Sequence, residues 1–260
     1  MKRKQWLFSA GLVILLILVS FIVRFRFEDK QMDEYIKKAS ILPSVYSDQF
    51  DPDLSTTAYE IFDNSLDTYD ELEENADTVV VGEVMDQCQN HGTVKTLIQI
   101  RQVIKGNLTE SESIEVYEPV NFTEDPRDFP DGRLEGSSGY LLMKKGQSYI
   151  LFLQSHPYSE TYNLVSDLYG KLPVENSPKV YHLEYTGEYI PLSKFDGYDA
   201  FYVDPKEEKE YLKEEMQLYE DRNCEEYVRL KKKEDAIILY EQYESKLEEL
   251  WQECQRIMRQ

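Results

Sequence analysis

Thr78-Val-Val-Val-Gly-Glu-Val84 is followed by Thr93-Val-Lys-Thr-Leu-Ile-Gln-Ile-Arg-Gln-Val-Ile104, and these two stretches decide the fold class. The first is short and β-branched. The second alternates apolar and polar residues, then stops at Lys105-Gly106-Asn107. Period-two patterns bounded by turn residues read as strands with one face on a core. Ser113-Ile-Glu-Val-Tyr117, Gly146-Gln-Ser-Tyr-Ile-Leu-Phe-Leu153 and Thr161-Tyr-Asn-Leu-Val165 repeat the signal. Short strands separated by Gly and Pro turns predict a sandwich or a small barrel. Residues 120–139 break the pattern with Pro126, Pro130, Gly132, Gly136 and Gly139. So long a structureless connection predicts a functional or mobile loop.

Downstream, residues 180–185 and 188–192 flank Thr186-Gly187, which predicts a hairpin. Tyr181, Tyr185, Tyr189, Phe195, Tyr198, Phe201 and Tyr202 crowd this region. Aromatic side chains combine large contact area with few rotors, so the cluster is a candidate binding surface. The competing reading is a cap over the end of the β domain. No Gly or Pro follows Pro205, and Asp204-Pro205 is a helix start: a capping side chain, then proline at the first helical position. Ala236, Tyr240, Tyr243, Leu247, Leu250, Cys254 and Ile257 are spaced 4-3-4-3-4-3. That seam either packs back on the β domain or pairs with another helix or subunit, so the residues from Tyr240 to Ile257 are a candidate helix interface.

Upstream, residues 6–23 read WLFSAGLVILLILVSFIV, 18 residues without a charge. At 1.5 Å per residue such a helix covers about 27 Å, close to a hydrocarbon core of roughly 30 Å. The run exceeds a signal-peptide core and lacks a small-x-small cleavage site, so it reads as an uncleaved signal anchor. Lys2, Arg3 and Lys4 precede it, and Arg24 and Arg26 follow. This balance favours a cytoplasmic N-terminus, with the bulk of the chain outside the cell membrane. Residues 24–75 then form a juxtamembrane linker with short helices at 33–40 and 55–75. The second has Ser55 or Thr57 as cap and Tyr59, Ile61, Phe62, Leu66, Tyr69 and Leu72 as its apolar stripe. The expected organisation is a basic stub (1–5), the anchor (6–23), the linker (24–75), the β domain with its hairpin extension (76–203) and a charged helical tail (204–260).

The 260 residues carry 29 Lys+Arg against 50 Asp+Glu, a net charge of −21. That excess argues against nucleic acid, which is held by basic faces. No G-x-S-x-G, H-E-x-x-H, P-loop or G-x-G-x-x-G motif occurs. His91, His156 and His182 are far apart, and Cys88, Cys224 and Cys254 form no C-x-x-C pair. No metal site or cofactor is expected, and the cysteines read as partly buried thiols. Asp125, Asp128 and Asp131 cluster in the irregular loop, but the spacing of a calcium loop is missing.

Ala76-Asp-Thr-Val-Val-Val-Gly-Glu-Val84, Val103-Ile-Lys-Gly-Asn107, Ile114-Glu-Val-Tyr117 and Leu142-Met-Lys-Lys-Gly-Gln-Ser-Tyr-Ile-Leu-Phe-Leu153 together resemble the netrin-like, metalloproteinase-inhibitor type of OB-fold barrel. Such barrels recur in membrane-anchored proteins of Gram-positive bacteria. The resemblance spans about 100 of the 260 residues and rests on patterning. It implies a five-stranded barrel between the anchor and the helical tail. Inhibitors of that type act through an N-terminal cysteine and a disulfide framework. Here the only cysteine of the region is Cys88, so inhibition is not implied. The expected function is a membrane-anchored, extracytoplasmic binding or scaffolding module without catalysis. Protein capture or self-association would run through the tail. The alternative is a cell-envelope hydrolase using the loop aspartates.

Overall fold

The computed structural model describes residues 30–32, 36, 38–41, 43, 66–90, 92–125, 129–136, 139–157, 159–184, 188–219, 222 and 224–259. The stub, the anchor and most of the linker, including residues 55–65, lie outside the described residues. Among the described residues no helix is long and apolar enough to cross a membrane. The chain divides into two compact units, residues 1–30 and 31–260, and the fold belongs to the second. It is mainly β, with helices at its C-terminal end.

Five strands carry the core. They are β3 (Thr78–Asn90), β4 (Thr93–Lys105), β5 (Ser113–Asp125), β7 (Ser148–Ser155) and β8 (Thr161–Leu164). Two-residue strands β1 (Lys30–Gln31) and β2 (Ser40–Ile41) precede them, and β6 (Phe129–Gly136) lies between β5 and β7. β3 pairs antiparallel with β4 and with β7, and β4 pairs antiparallel with β5. β8 pairs antiparallel with β7 and parallel with β5, so the pairings return to their start. The alternating β5 residues Ile114, Val116, Val120 and Phe122 are buried on the inner side. Val79, Val80 and Val81 on β3, and all five residues 149–153 on β7, are buried as well. A strand covered on both faces reads as a continuous apolar run, as these two do.

Helices supply the outer cover. α1 (Tyr69–Asn75) is capped by Thr68, whose hydroxyl accepts from the Glu71 N–H. It lays Tyr69 edge-on against Phe152 with ring centres 5.6 Å apart. β9 (Lys171–Pro173) pairs antiparallel with β7, and beyond it come β10 (Val180–Leu183), β11 (Ile190–Pro191) and β12 (Ala200–Val203). The tail forms α2 (Lys206–Gln217), α3 (Glu225–Glu241) and α4 (Tyr243–Met258). α2 begins one residue later than expected, with Pro205 at the N-cap position and no side-chain cap, while Asp204 Oδ1 just before it accepts from the Lys206 N–H. α4 is tied to the body by Trp251 Nε1 donating to Pro173 O (2.9 Å), Gln255 Nε2 donating to Val174 O (2.7 Å) and a Lys246–Asp67 ion pair (3.3 Å).

Two sequence expectations are corrected. Residues 120–139 are no structureless loop: β5 and β6 pair antiparallel, with Val120 opposite Gly136 and Phe122 opposite Leu134. Prolines and glycines conceal this strand. Gly132 is needed there, because it adopts φ +80° and a Cβ would sit 2.4 Å from the Phe122 ring. Among the described residues, the two arms expected to form a hairpin around Thr186-Gly187 do not pair with each other either. β10 pairs parallel with β12, while β11 pairs antiparallel with β2. Both partners are distant in sequence, so local turn chemistry had no say.

Candidate functional site

Residues 141–144 run between β6 and β7 outside any strand. An extended segment without a ladder must place its peptide groups elsewhere. Here buried side chains take them. Leu141 O accepts from Lys171 Nζ, and the Met143 N–H donates to Glu118 Oε2 (2.8 Å). Met143 O accepts from Gln87 Nε2 (2.9 Å), and the Lys144 N–H donates to Tyr149 Oη (3.0 Å).

Glu118 is the hub of this frame and is 2% exposed. Besides Met143, it accepts from Gln87 Nε2 (2.7 Å), the Tyr140 hydroxyl (2.7 Å) and the Thr96 hydroxyl. A buried carboxylate is tolerable only when its oxygens are this well supplied with donors. Lys171 brings the nearby positive charge, with its ammonium 3.9 Å from the centre of the Tyr140 ring. Burial lowers the Lys171 pKa to about 8, while Glu118 and Asp199 pull it back up. Burial and the neighbouring Glu118 hold the Tyr140 hydroxyl well above its ordinary pKa.

A lysine shifted this far often marks an active site. Here the space around it decides otherwise. Tyr140, Tyr149, Asp167, Lys171, Asp199 and Tyr243 line a cavity of only about 10 Å³, which holds one water. No substrate fits, so the frame is structural.

Its outer side is different. Leu141, Leu142, Met143, Leu192, Phe195 and Tyr198 supply the apolar lining of an open groove of about 540 Å³. Ile36, Gln87, Lys144, Lys145, Asp196 and Gly197 complete it. Both rim lysines are matched: Lys144 Nζ lies 3.5 Å from Asp199, and Lys145 Nζ lies 3.0 Å from Asp86. Gln87, Leu141, Leu142, Met143, Leu192 and Phe195 of this lining are buried.

The aromatic candidates separate. Tyr181 meets Phe195 (5.2 Å between ring centres) and Tyr198 (4.9 Å), and Phe195 meets Phe201 (5.7 Å). Tyr202 stacks on Tyr240 (5.0 Å), which stacks on Tyr243 (6.1 Å). Phe195 and Phe201 are fully buried, and the other three are half-buried. The cluster is therefore a packed layer under the tail and not an open face. Only Phe195 and Tyr198 reach the groove. Tyr189 stands apart, its hydroxyl accepting from Arg133 (3.2 Å), and Tyr185 lies outside the described residues.

The candidate helix interface is used within the chain. Tyr240, Tyr243, Leu247, Leu250 and Cys254 are buried in the main core, and Ile257 packs against it. Burial pushes the Cys254 thiol up to about 12. Asp128 lies outside the described residues, and no group of three His, Cys, Asp or Glu among the described residues is placed to hold a metal ion.

Glu118, Gln87, Lys171 and residues 141–143 were missed at the sequence level. Glu118 had a signal: it occupies an inward position in the alternation Ile114, Val116, Val120, Phe122. Gln87 had none. A register irregularity between Val84 and Asp86 resets which residues of β3 face inward.

No protein-family model matches the chain, and no curated protein does.

Proposed function

We propose that this chain is a non-catalytic binding module, anchored in the cell membrane through residues 6–23 with its bulk outside, and that the groove is its recognition site. The groove itself carries the reading. Its volume of about 540 Å³ falls within the range of small-molecule sites, roughly 300–1,000 Å³. Its lining is apolar with a few fixed polar groups, the usual composition of such sites.

The circuit β3–β4–β5–β8–β7 supports an OB-like barrel as the scaffold, each strand being paired on both sides and the ring closing through the parallel β5–β8 contact. Barrels of this kind serve binding across many chemistries, so the assignment rests on the groove and not on the fold. The apolar run and its basic flank support the anchor and its orientation.

Met143 supplies the test, because it lines the groove and its methyl group gives a distinct signal. Full-length protein with ¹³Cε-methionine, placed in lipid nanodiscs, is titrated with toluene. The Met143 signal (assigned with Met143→Leu) should shift and saturate. Asp196→Trp, which introduces an indole from an exposed rim position, should weaken that response. A Met143 signal that never responds to toluene removes the groove as a binding site.

A further inference from the structure

Gln87 is only 3% exposed, yet it forms part of the groove wall. Its amide is oriented by its neighbours. Three acceptors surround the nitrogen: Glu118 Oε1 at 2.7 Å, Met143 O at 2.9 Å and Thr96 Oγ1 at 3.3 Å. A carboxylate and a peptide carbonyl accept only, so the NH₂ must point at them and the assignment of nitrogen and oxygen is fixed. The amide oxygen is then turned away from Glu118. Among the described residues it has no hydrogen-bond partner.

We infer that Gln87 is a specificity-determining acceptor in this groove, and that the groove takes an apolar molecule bearing an N–H or O–H donor. The inference rests on the groove being a binding site. Three observations select that ligand class. The walls are built of Leu141, Leu142, Met143, Leu192, Phe195 and Tyr198, which favour an apolar body. Lys144 and Lys145 are each matched by an aspartate, so neither offers a free cation to an anionic ligand. Gln87 sets an acceptor into the wall, its amide oxygen having no hydrogen-bond partner among the described residues, and an acceptor calls for a donor.

The physical advantage lies in discrimination. A ligand that covers Gln87 without a donor leaves the buried oxygen unpaired, and that penalty exceeds the mean gain from making the bond. Because Glu118 already immobilises the amide, little rotamer freedom is lost on binding.

Indole and benzofuran make the test, since they share one shape and differ in an N–H replaced by an ether oxygen. Full-length protein in nanodiscs is titrated with each, using the Met143 methyl signal as readout and free aqueous concentration (by equilibrium dialysis) as the variable. Indole should bind about tenfold more tightly. Burial alone acts in the opposite direction, because benzofuran is the less polar of the two. Equal binding, or tighter binding of benzofuran, at a responding Met143 overturns the role of Gln87 while leaving the groove a binding site. If toluene, indole and benzofuran all leave the Met143 signal unmoved, the groove reading itself fails and the inference falls with it.

Discussion

The Lys171 ammonium stands 3.9 Å from the centre of the Tyr140 ring, and the hydroxyl of that ring is donated to Glu118 at 2.7 Å. One aromatic side chain thus serves a buried cation through its face and a buried anion through its edge. The two roles separate by mutation. Tyr140→Phe keeps the ring under Lys171 and removes one donor from Glu118. It should lower stability by about 2 kcal/mol in urea unfolding, the range for a hydrogen bond to a charged group. Tyr140→Leu also removes the cation–π contact and part of the packing, and should cost at least a further 1 kcal/mol. Equal losses for the two variants would show that the ring face contributes nothing to holding Lys171.

Lys171 also makes stability depend on alkaline pH in a definite direction. It releases its proton near pH 8 in the folded chain and near its ordinary 10.5 when unfolded. Between those values the unfolded chain holds the extra proton, so this residue's contribution to stability climbs with pH. Buried Tyr140, Tyr149, Tyr169 and Tyr243 act in the opposite sense above about pH 10, where they would ionise only after unfolding. Comparison with Lys171→Met isolates the lysine. The stability of the native sequence minus that of the variant should rise by roughly 3 kcal/mol from pH 8 to 10.5 and stay flat below pH 8. A difference that is flat throughout would show the ammonium to be hydrated.

Leu250 is 2% exposed on the inner side of α4. Leu250→Asp buries a carboxylate without a partner and should destabilise by at least 3 kcal/mol. The exposed Glu249→Ala on the same helix should change stability by less than about 0.5 kcal/mol. Thermal unfolding of the pair decides it. If α4 were instead a surface for another subunit, Leu250→Asp would leave monomer stability intact and alter sedimentation only.

Cys254 and Cys224 report burial and topology together. Cys254 is 2% exposed with its thiol pushed up to about 12, whereas Cys224 is half-buried where α3 begins. Thiolate is the reactive form, so a maleimide should modify Cys254 only after denaturation. With Cys88 and Cys254 changed to Ser, a membrane-impermeant maleimide should label Cys224 in intact cells. Labelling that requires lysis would place the domain on the cytoplasmic side and reverse the proposed orientation.

The strands β4, β7 and β8 were legible because their apolar residues recur at short range and stop at glycine or at polar turns. Glu118 left a signal as an acid in a run of inward positions, but one acid among 50 is concealed and it was missed. Residues 141–143 were not legible. They follow neither the period of a strand nor that of a helix, because side chains of Gln87, Glu118, Tyr149 and Lys171 satisfy the peptides in and beside them. The seam on α4 was visible as a spacing, but spacing alone cannot say whether a sheet or a second helix covers it. Tyr181 and its neighbours drew notice for their chemistry, and the tail that buries them comes from a different part of the chain.

The Lys246–Asp67 ion pair joins residues that lie on opposite sides of the whole β domain in sequence, and Thr78 is paired with Leu153. Loop closure on that scale must precede most of the contacts that reward it. Folding should therefore be slow, on the order of milliseconds to seconds, with β3 and β7 waiting uncovered until α1 and α4 dock. During that interval the continuous apolar runs of both strands are open to other chains. The acidic surface, with its mutual repulsion between copies, is then a protection for the unfinished protein as much as a property of the finished one.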